Sequence, residues 1–364
     1  MNKKLILISF TLVLIVSFSF LVKEKPIVEE VIPIIEEEII PKNQLEIVPD
    51  EISAIYLTGP YLTSEYRFER IFSLAKEKAI NAVIIDVKDY SGRIYLDIEN
   101  EALDSALRTS VKTSEIIKRL HDQGIYVIGR VVVFEDPILS SQKPELAVKD
   151  NDGNLWKGYD GLAWTKPNSK EVWDYNILVA REAWNMGFDE INFDYIRFPT
   201  DGNLKSINYS LDGKTKIEIM EDFYIYLRNE LEGINLSIDL FGLTTLVDDI
   251  GIGQNIEIAS KYFNYVCPMV YPSHYANGFN GYLNPSEFPY GVVYKSLSEA
   301  GAHNIRPWLQ AFDLLGYEYG REEIQAQIKA TKDGLQENYS GYMLWNSQND
   351  YNSEELIKGE EVLE

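Results

Sequence analysis

The feature that most constrains the fold of this chain is an alternation of short apolar runs with amphipathic stretches, repeated about eight times from Ile52 onward. Runs rich in β-branched and aromatic residues predict strands, and apolar residues at helical spacing predict helices. The candidate strands are SAIYLTG from Ser53, AVIIDVKD from Ala82, YVIGRVVVF from Tyr126, EINFDYIRF from Glu190, NLSIDLFGL from Asn235, YVCPMVYP from Tyr265, IRPWLQAFD from Ile305 and GYMLWN from Gly341. This order is typical of parallel βα units.

Eight βα units in about 300 residues predict an α/β protein of the (β/α)8 barrel class, within its usual size range. Between two of the strands, SKEVWDYNILVAREAWNMG predicts a helix with Ser169 as its N-cap and Gly187 at its end. A doubly wound sheet is the second choice. It would normally carry a glycine-rich phosphate turn after an early strand, and the chain contains no G-x-G-x-x-G or P-loop motif.

The segment from Phe134 to Asn168 contains no clear strand. It follows the third candidate strand, so it lies at the end of the barrel where long connections are found. Its DNDGNLWKGYDGLAW portion is rich in turn-forming residues. We therefore expect an insertion that folds over the barrel mouth.

The two ends of the chain differ from the 52–350 barrel in composition. Residues 1–22 pair two lysines with an apolar run from Leu5 to Val22, which predicts a secretory signal peptide or an uncleaved membrane anchor. Residues 23–51 are acidic and contain several prolines, which favours an extended, disordered linker. Residues 351–364 are expected to form an acidic tail. The N-terminal segment predicts an extracytoplasmic protein, either secreted or anchored to the cell membrane.

The charge and the cysteine content exclude several classes of function. With 57 acidic and 34 basic residues the formal net charge is −23, which disfavours binding to nucleic acid and recruitment to anionic lipid by charge alone. Membrane contact is therefore expected only through the N-terminal segment. Cys267 is the single cysteine, so no intramolecular disulfide and no cysteine-based metal site can form. We expect no metal and no cofactor, and Cys267 as a small buried apolar residue.

The candidate site residues lie at the predicted C-terminal ends of the strands, where barrels gather their active groups. These ends carry Asp86, Lys88, Asp89, Arg130, Asn192, Asp194, Arg197, Asp239, Tyr271, His274, Trp308, Gln310, Asp313, Trp345 and Asn346. Charges inside apolar strands are costly unless they are paired or functional. Asp194 and Asp239 each have apolar or aromatic neighbours on both sides, which makes them the first candidates for chemistry.

Period-2 alternation sharpens the prediction because alternate residues of a strand share one face. Asn192 and Asp194 share a face, Arg197 lies on the opposite face, and Asp86 lies with Lys88. The result is an acidic cluster with amide, basic and aromatic neighbours. Two carboxylates flanking a bond are what glycoside cleavage requires. Aromatic faces suit the C–H surfaces of sugars, and Asn, Gln and Arg suit their hydroxyl groups.

Several of these residues also have a structural interpretation. Asp86 and Lys88 could form a buried ion pair. Arg197 could pair with a helix or order the loop that follows it, and Asp239 could accept backbone hydrogen bonds. Of the three histidines, only His274 lies at a strand end; His121 falls in a surface helix and His303 in a loop.

Seven motifs, in this order, resemble a bacterial family of "putative glycoside hydrolase" domains related to the alpha-amylase clan. They are IDVKDYSG, GRVVVFEDPILS, GFDEINFDYIRFPTDG, DLFGLT, PMVYPSHY, IRPWLQAFD and GYMLWNSQNDY, and the resemblance runs from about Ile52 to Tyr351. The resemblance implies a TIM barrel whose strand-four nucleophile is Asp194. The clan usually has Arg two residues before that Asp and a Glu acid after strand five, where this chain has Asn192 and Asp239.

We therefore predict a glycosidase acting on a poly- or oligosaccharide at the cell envelope, with Asp194 and Asp239 as catalytic residues and Asp86 or Asp89 as the reserve acid. The other strand-end residues, Asp86 and Asp89 included but Asp313 not, are predicted to bind the carbohydrate. The alternative is an inactive barrel that binds envelope polysaccharide. A metal-dependent polysaccharide deacetylase is disfavoured, because such enzymes need closely spaced histidines and those of this chain are far apart in sequence.

Overall fold

The computed structural model describes residues 44–45, 48–314 and 316–356. In this part of the chain eight parallel strands, paired in chain order, close into a barrel. The strands are β1 (Ile52–Leu57), β2 (Ala82–Lys88), β3 (Tyr126–Val132), β4 (Glu190–Asp194), β5 (Leu236–Phe241), β6 (Tyr265–Met269), β7 (Trp308–Gln310) and β8 (Gly341–Trp345). The predicted (β/α)8 fold is confirmed, and each strand overlaps its predicted run.

Helices connect the strands and form the outer layer. They are α1 (Glu65–Lys76), α2 (Thr113–His121), α3 (Pro137–Gln142), α4 (Lys170–Met186), α5 (Lys216–Glu230), α6 (Ile256–Ala259), α7 (Pro289–Ser298), α8 (Arg321–Leu335) and α9 (Ser353–Leu356). Helix α4 begins after Ser169 and ends before Gly187, as its sequence predicted. Gly187 has a φ of 120°, a conformation open to glycine but strained for other residues.

The barrel closes where β8 pairs with β1, with Ile52 in register with Gly341. A Cβ on Gly341 would lie only 2.0 Å from the carbonyl oxygen of Ile52, and the φ of Gly341 is +112°. Glycine is therefore required at the start of β8 for the two strands to approach.

The strands bury both of their faces, which is why their sequences are nearly continuous apolar runs. Alternate residues point into the barrel or toward the helices; in β1, Ala54 and Tyr56 belong to the interior cluster, and Ile55 and Leu57 to the outer one. Cys267 is buried in the interior cluster, as predicted. The two clusters give the barrel a rigid wall from which side chains project at fixed positions.

A buried ion pair lies at the N-terminal end of the barrel, opposite the mouth. Arg306 Nη1 donates to both carboxylate oxygens of Glu190, at 2.9 and 3.0 Å, and both side chains are almost fully enclosed. The guanidinium also lies over the ring of Tyr265, 3.8 Å from its centroid. Because Glu190 opens β4, this pair ties the base of β4 to the segment leading into β7.

Replacing Glu190 by glutamine is expected to lower the free energy of unfolding by about 3–5 kcal/mol, because the guanidinium of Arg306 is left buried without its counter-charge. Urea denaturation at neutral pH measures the loss. The control is Glu230→Gln, which removes the partially exposed pair with Arg181 and is expected to cost at most about 1 kcal/mol. Equal losses in the two variants would contradict the prediction.

Two predicted boundaries differ from the structure. Gln44 Nε2 donates to the carbonyl oxygens of Trp184 and Phe188, so the end of the predicted 23–51 linker packs against the barrel. At the other end, Tyr351 and Leu356 are buried, so the start of the predicted 351–364 tail belongs to the folded body. The apolar residues there outweigh the acidic composition on which the prediction of a tail rested.

Residues 1–43 and 357–364 lie outside the described residues, as do residues 46–47 and 315. The predicted signal or anchor segment, most of the predicted linker and the end of the predicted tail fall on them. Within the described residues, no helix has the length and apolar character needed to cross a membrane.

Candidate active site

Charged and amide side chains form a row around one side of the barrel interior, near the C-terminal ends of four neighbouring strands. Asp86 of β2 is in register with Arg130 of β3, and Arg130 with Asn192 of β4. The pairing of β4 with β5 continues to Phe193 opposite Ile238, so Asp194 and Asp239 occupy the next positions on these strands. Adjacent parallel strands lie about 4.8 Å apart, so the two carboxylates are direct neighbours.

Arg130 connects two of these carboxylates. Its Nε and Nη2 donate to Asp194 Oδ2 at 3.1 and 2.5 Å, and its Nη1 donates to Asp86 Oδ1 at 2.6 Å. Tyr56 donates its hydroxyl to the other oxygen of Asp86 at 2.6 Å. Burial raises the pKa of Asp86, while the Arg130 guanidinium opposes that rise. Arg130 is thus held in place by Asp86 and presents a fixed positive charge to Asp194.

The resemblance to the alpha-amylase clan implies an arginine two residues before Asp194, and a guanidinium reaches Asp194 from a different strand instead. Asn192 occupies that position here, but Arg130, which is in register with Asn192, reaches Asp194 from β3. The strand-four carboxylate therefore has its guanidinium partner despite the sequence difference.

Asp239 has a different environment from Asp194. Its Oδ1 accepts hydrogen bonds from Asn192 Nδ2 at 2.8 Å and from Trp308 Nε1 at 2.7 Å, while its Oδ2 is buried without a hydrogen-bond partner among the described residues. Burial, followed by the negative charge of Asp194, raises the pKa of Asp239 well above its ordinary value. The hypothesis that Asp239 accepts backbone hydrogen bonds is wrong, since both donors are side chains.

A pocket of about 230 Å³ opens above these carboxylates. It is lined by Arg130, Asp194, Tyr195, Arg197, Asp239, Phe241, Met269, Tyr271, Trp308 and Trp345. The ring of Trp345 stacks on Tyr56 at 4.0 Å between centroids and meets Trp308 edge to face. Two neighbouring carboxylates in contrasting environments thus face a cavity with aromatic walls.

A cleft of about 900 Å³ adjoins the pocket, and Tyr271 and Trp345 line both. His274, Phe312 and Asn346 also line the cleft. Burial lowers the pKa of His274, which keeps its imidazole neutral at neutral pH. The cleft extends the pocket over the loops that follow β6, β7 and β8.

A family model described as "Putative glycosyl hydrolase domain" matches residues 54–351. The chain belongs to this family. The predicted resemblance is therefore confirmed, and the reaction class of the family is the hydrolysis of glycosidic bonds.

Two solved glycoside hydrolase structures share the fold of this domain, and a third solved structure is more similar to it in sequence. A hypothetical protein from Ruminiclostridium thermocellum is 42% identical over 51% of this chain and 96% of its own, with a TM-score of 0.49. The PgaB (BpsB) glycoside hydrolase domain from Bordetella bronchiseptica is 15% identical, covers 85% of this chain and 98% of its own, and has a TM-score of 0.59. Alpha-L-fucosidase isoenzyme 2 from Paenibacillus thiaminolyticus is 13% identical over 84% of this chain and 48% of its own, with a TM-score of 0.55. No curated protein sequence matches the chain significantly.

Lys88 lies outside the pocket of the glycosyl hydrolase domain, and the prediction that it shares a face with Asp86 is wrong. The pairing of β2 with β3 shifts between Asp86 and Lys88, so Lys88 is opposite Val131. Its Nζ donates to Asp136 Oδ2 at 2.7 Å and to Asn176 Oδ1 of α4 at 2.8 Å. The predicted Asp86–Lys88 ion pair is therefore replaced by Asp86–Arg130 and Lys88–Asp136.

Three other predicted binding residues form hydrogen bonds that hold loops or catalytic candidates in place. Asp89 accepts hydrogen bonds from Ser91 and from the hydroxyl of Tyr95. Gln310 is buried and bonds to the backbone of Ser273 and Phe312, which joins the loops after β6 and β7. Asn192 is likewise buried and lies beneath the pocket, where it supports Asp239.

The position of Arg197 differs from its prediction. Strand β4 ends at Asp194, and Tyr195 has a positive φ of 50°, so the alternation of faces stops there. The side chain turns into the pocket beside Asp194, and its Nη1 donates to Phe198 O and Thr200 Oγ1, each at 3.2 Å. Arg197 therefore orders the following loop, one of its two structural interpretations, and also lines the pocket.

Sequence reasoning missed several residues around the pocket. Tyr56 anchors Asp86 from the middle of β1, and Phe241 and Met269 line the wall at the ends of β5 and β6. The hydroxyl of Tyr56, within an otherwise apolar strand, was the available signal for a polar partner. Trp164, from the insertion over the mouth, contacts Arg197.

The three histidines are far apart in the fold as well as in sequence. His121 contacts Asp189 at 2.9 Å, His274 packs against Tyr271 and Phe312, and His303 contacts Asn338. The histidine cluster that a metal-dependent deacetylase would need is therefore not assembled.

Proposed function

We propose that the protein is a glycosidase that cleaves a poly- or oligosaccharide at the cell envelope with Asp194 and Asp239 as its catalytic carboxylates. The observation that carries this proposal is the contrast between two neighbouring acids that face one pocket. Asp194 is ion-paired with Arg130, whereas the pKa of Asp239 is raised. Two neighbouring carboxyl groups in contrasting environments are typical of the division into acid and nucleophile or base in glycosidases.

Asp194 suits the role that requires a negative charge. The Arg130 guanidinium pairs with its Oδ2, and the backbone N–H of Tyr195 donates to its Oδ1 at 2.6 Å. In a retaining reaction Asp194 attacks the anomeric carbon, and in an inverting reaction it activates water. In either case the oxocarbenium-like transition state develops positive charge beside a carboxylate that is held in place.

Asp239 suits the role that requires a proton. Both side-chain donors reach Oδ1, so Oδ2 is the oxygen free to carry the proton. Burial and the neighbouring carboxylate of Asp194 both raise the pKa of Asp239, which favours its protonated form. We infer that Asp239 protonates the glycosidic oxygen as the bond to the leaving group breaks.

The shape and lining of the cavity support a carbohydrate substrate longer than one sugar. Trp308, Trp345 and Tyr271 present aromatic surface, which suits the C–H faces of sugar rings, near the carboxylates. The adjoining 900 Å³ cleft offers space for further sugar units next to the pocket.

The location of the protein is part of the proposal. The apolar N-terminal run and its two lysines support secretion or anchoring at the membrane, which would bring the barrel to envelope polysaccharide. Fractionation of the source cells tests this, since recovery of the full chain in the cytosol alone would contradict it.

The proposed function is tested by incubating the purified protein with a panel of bacterial surface, capsular and plant polysaccharides and measuring newly formed reducing ends. Release of oligosaccharides by the wild type is the expected result. Binding to a polysaccharide without any release of reducing ends would instead favour the inactive, polysaccharide-binding barrel.

Trp308→Phe is expected to move the alkaline limb of the pH–rate profile to higher pH. The indole N–H lowers the pKa of Asp239 by donating to Oδ1, so its loss raises that pKa further. Since the acid works in its protonated form, the rate then persists to higher pH. Profiles of kcat/KM for wild type and variant measure the shift, and Trp173→Phe, an indole on α4 outside the pocket, is the control. An unchanged limb would contradict the prediction.

A further inference from the structure

Arg197 stands apart from the other buried arginines of the described chain. Arg130 and Arg306 each form ion pairs with carboxylates, whereas Arg197 has hydrogen bonds and ring contacts but no ion pair among the described residues. The residue is only 8% exposed. A buried charge is costly unless something compensates it.

The guanidinium is held in an aromatic box that leaves part of it free. Its carbon lies 4.9 Å from the ring centroids of Trp164 and Tyr195 and 4.8 Å from that of Phe241. Both of its hydrogen bonds within the described residues come from Nη1, so Nε and Nη2 remain as donors. Because Arg197 lines the pocket beside Asp194, a bound ligand can reach these donors.

Asp194, Glu135 and Asp201 act electrostatically on Arg197, but none of them forms an ion pair with it among the described residues. Asp194 is already paired with Arg130. Glu135 lies close enough to influence Arg197, but burial and a hydrogen bond with Asp160 raise the pKa of Glu135 to about 8, so it is mostly neutral at pH 7. The pocket therefore contains a fixed cation with two unused N–H donors facing the space where a sugar would bind.

We propose that Arg197 pairs with an anionic substituent of the sugar bound in the pocket, a carboxylate or a sulfate ester. This inference rests on the proposed glycosidase function, because it names the substrate class of the same pocket. Guanidinium groups recognise such anions with paired N–H donors, and the aromatic box fixes the orientation of the Arg197 guanidinium.

The adjoining cleft limits where the negative charge of the substrate can lie. Asp313 and Asp350 line the cleft. Among the described residues that line it, Arg70 is the permanent cation, and it is already paired with Asp350 at 2.6 Å. A second anionic sugar would be repelled there. The substrate is therefore an oligosaccharide or polymer with an acidic sugar in the pocket and uncharged sugars along the cleft.

Binding of single sugars by the full-length protein tests the inference without any turnover. NMR titrations compare glucuronate and galacturonate, glucose 6-sulfate and galactose 6-sulfate, and uncharged glucose and galactose. The wild type is expected to bind at least one acidic sugar about tenfold more tightly than its uncharged counterpart. The preferred arm identifies the anion as a carboxylate or a sulfate ester.

Arg197→Gln is expected to abolish that preference, and Arg197→Lys to retain part of it. The control is Arg181→Gln, an arginine on the outer side of α4 that pairs with Glu230, which should keep the wild-type preference. Circular dichroism verifies that each variant is folded. Equal affinities for acidic and uncharged sugars in the wild type, absence of binding by all six, or a preference that survives in Arg197→Gln would each overturn the inference.

The outcome separates this inference from the proposed function. Hydrolysis of an uncharged polysaccharide at equal rates by wild type and Arg197→Gln would support the glycosidase function and contradict a binding site for an acidic sugar. Binding of an acidic sugar that depends on Arg197, by a protein that hydrolyses no polysaccharide, would support the acidic-sugar site and contradict the glycosidase function.

Discussion

Replacing Asp194 by asparagine is expected to reduce polysaccharide hydrolysis by about 10⁴-fold or more, the range found when a catalytic nucleophile or base is removed. The amide has nearly the same shape as the carboxylate but can neither attack the anomeric carbon nor activate water. Loss of the carboxylate also removes the negative charge that stabilises the developing oxocarbenium ion. The assay is the release of reducing ends from a polysaccharide that the wild type cleaves.

The variant must remain folded for this result to have meaning. Asp194 is one of two carboxylates that pair with Arg130, and the other, Asp86 at 2.6 Å, is left in place by the substitution. Circular dichroism and the unfolding temperature verify the fold. Asp174→Asn, at an exposed ion pair with Lys170 on α4, is the matched control and should keep wild-type activity. Undiminished hydrolysis by folded Asp194→Asn would exclude the proposed mechanism.

The fold and the first catalytic candidates could be predicted because local patterns encode them. Apolar runs of strand length, separated by amphipathic helices, specify βα units and their order. A carboxylate within such a run also stands out, as Asp194 and Asp239 did, because an unpaired charge there would be costly.

The partners of these carboxylates could not be predicted, because they depend on register between strands and on local breaks in alternation. Arg130 reaches Asp194 from a neighbouring strand 64 positions earlier in the sequence. The shifted pairing after Asp86 turned Lys88 toward the helices, and the positive φ of Tyr195 turned Arg197 into the pocket. Tertiary packing sets each of these features, and no periodicity in the sequence reports them.

The loss of hydrolysis rate in Asp239→Asn is expected to depend on how readily the leaving group of the substrate departs without protonation. Hydrolysis of a natural polysaccharide should fall by about 10²–10⁴-fold, the usual contribution of a general acid. A dinitrophenyl glycoside of the same sugar has a leaving group that departs without protonation, so its cleavage should fall by less than about tenfold. The alkaline limb of the polysaccharide pH profile should disappear in the variant, because that limb reports deprotonation of Asp239. Equal losses on both substrates would contradict the role of acid.

The same substitution has a signature in stability that needs no substrate. The raised pKa of Asp239 means that the folded protein keeps its proton at pH values where the unfolded chain, with an aspartate pKa of about 3.9, has lost it. The folded state then binds more protons than the unfolded state, so wild-type stability falls as pH rises from about 4 toward the raised pKa. The amide introduced by Asp239→Asn carries no titrating proton, so the variant escapes this loss. The unfolding temperature of Asp239→Asn relative to that of the wild type should therefore increase as the pH is raised. A difference in unfolding temperature that does not depend on pH would show that the pKa of Asp239 is not raised in the folded protein.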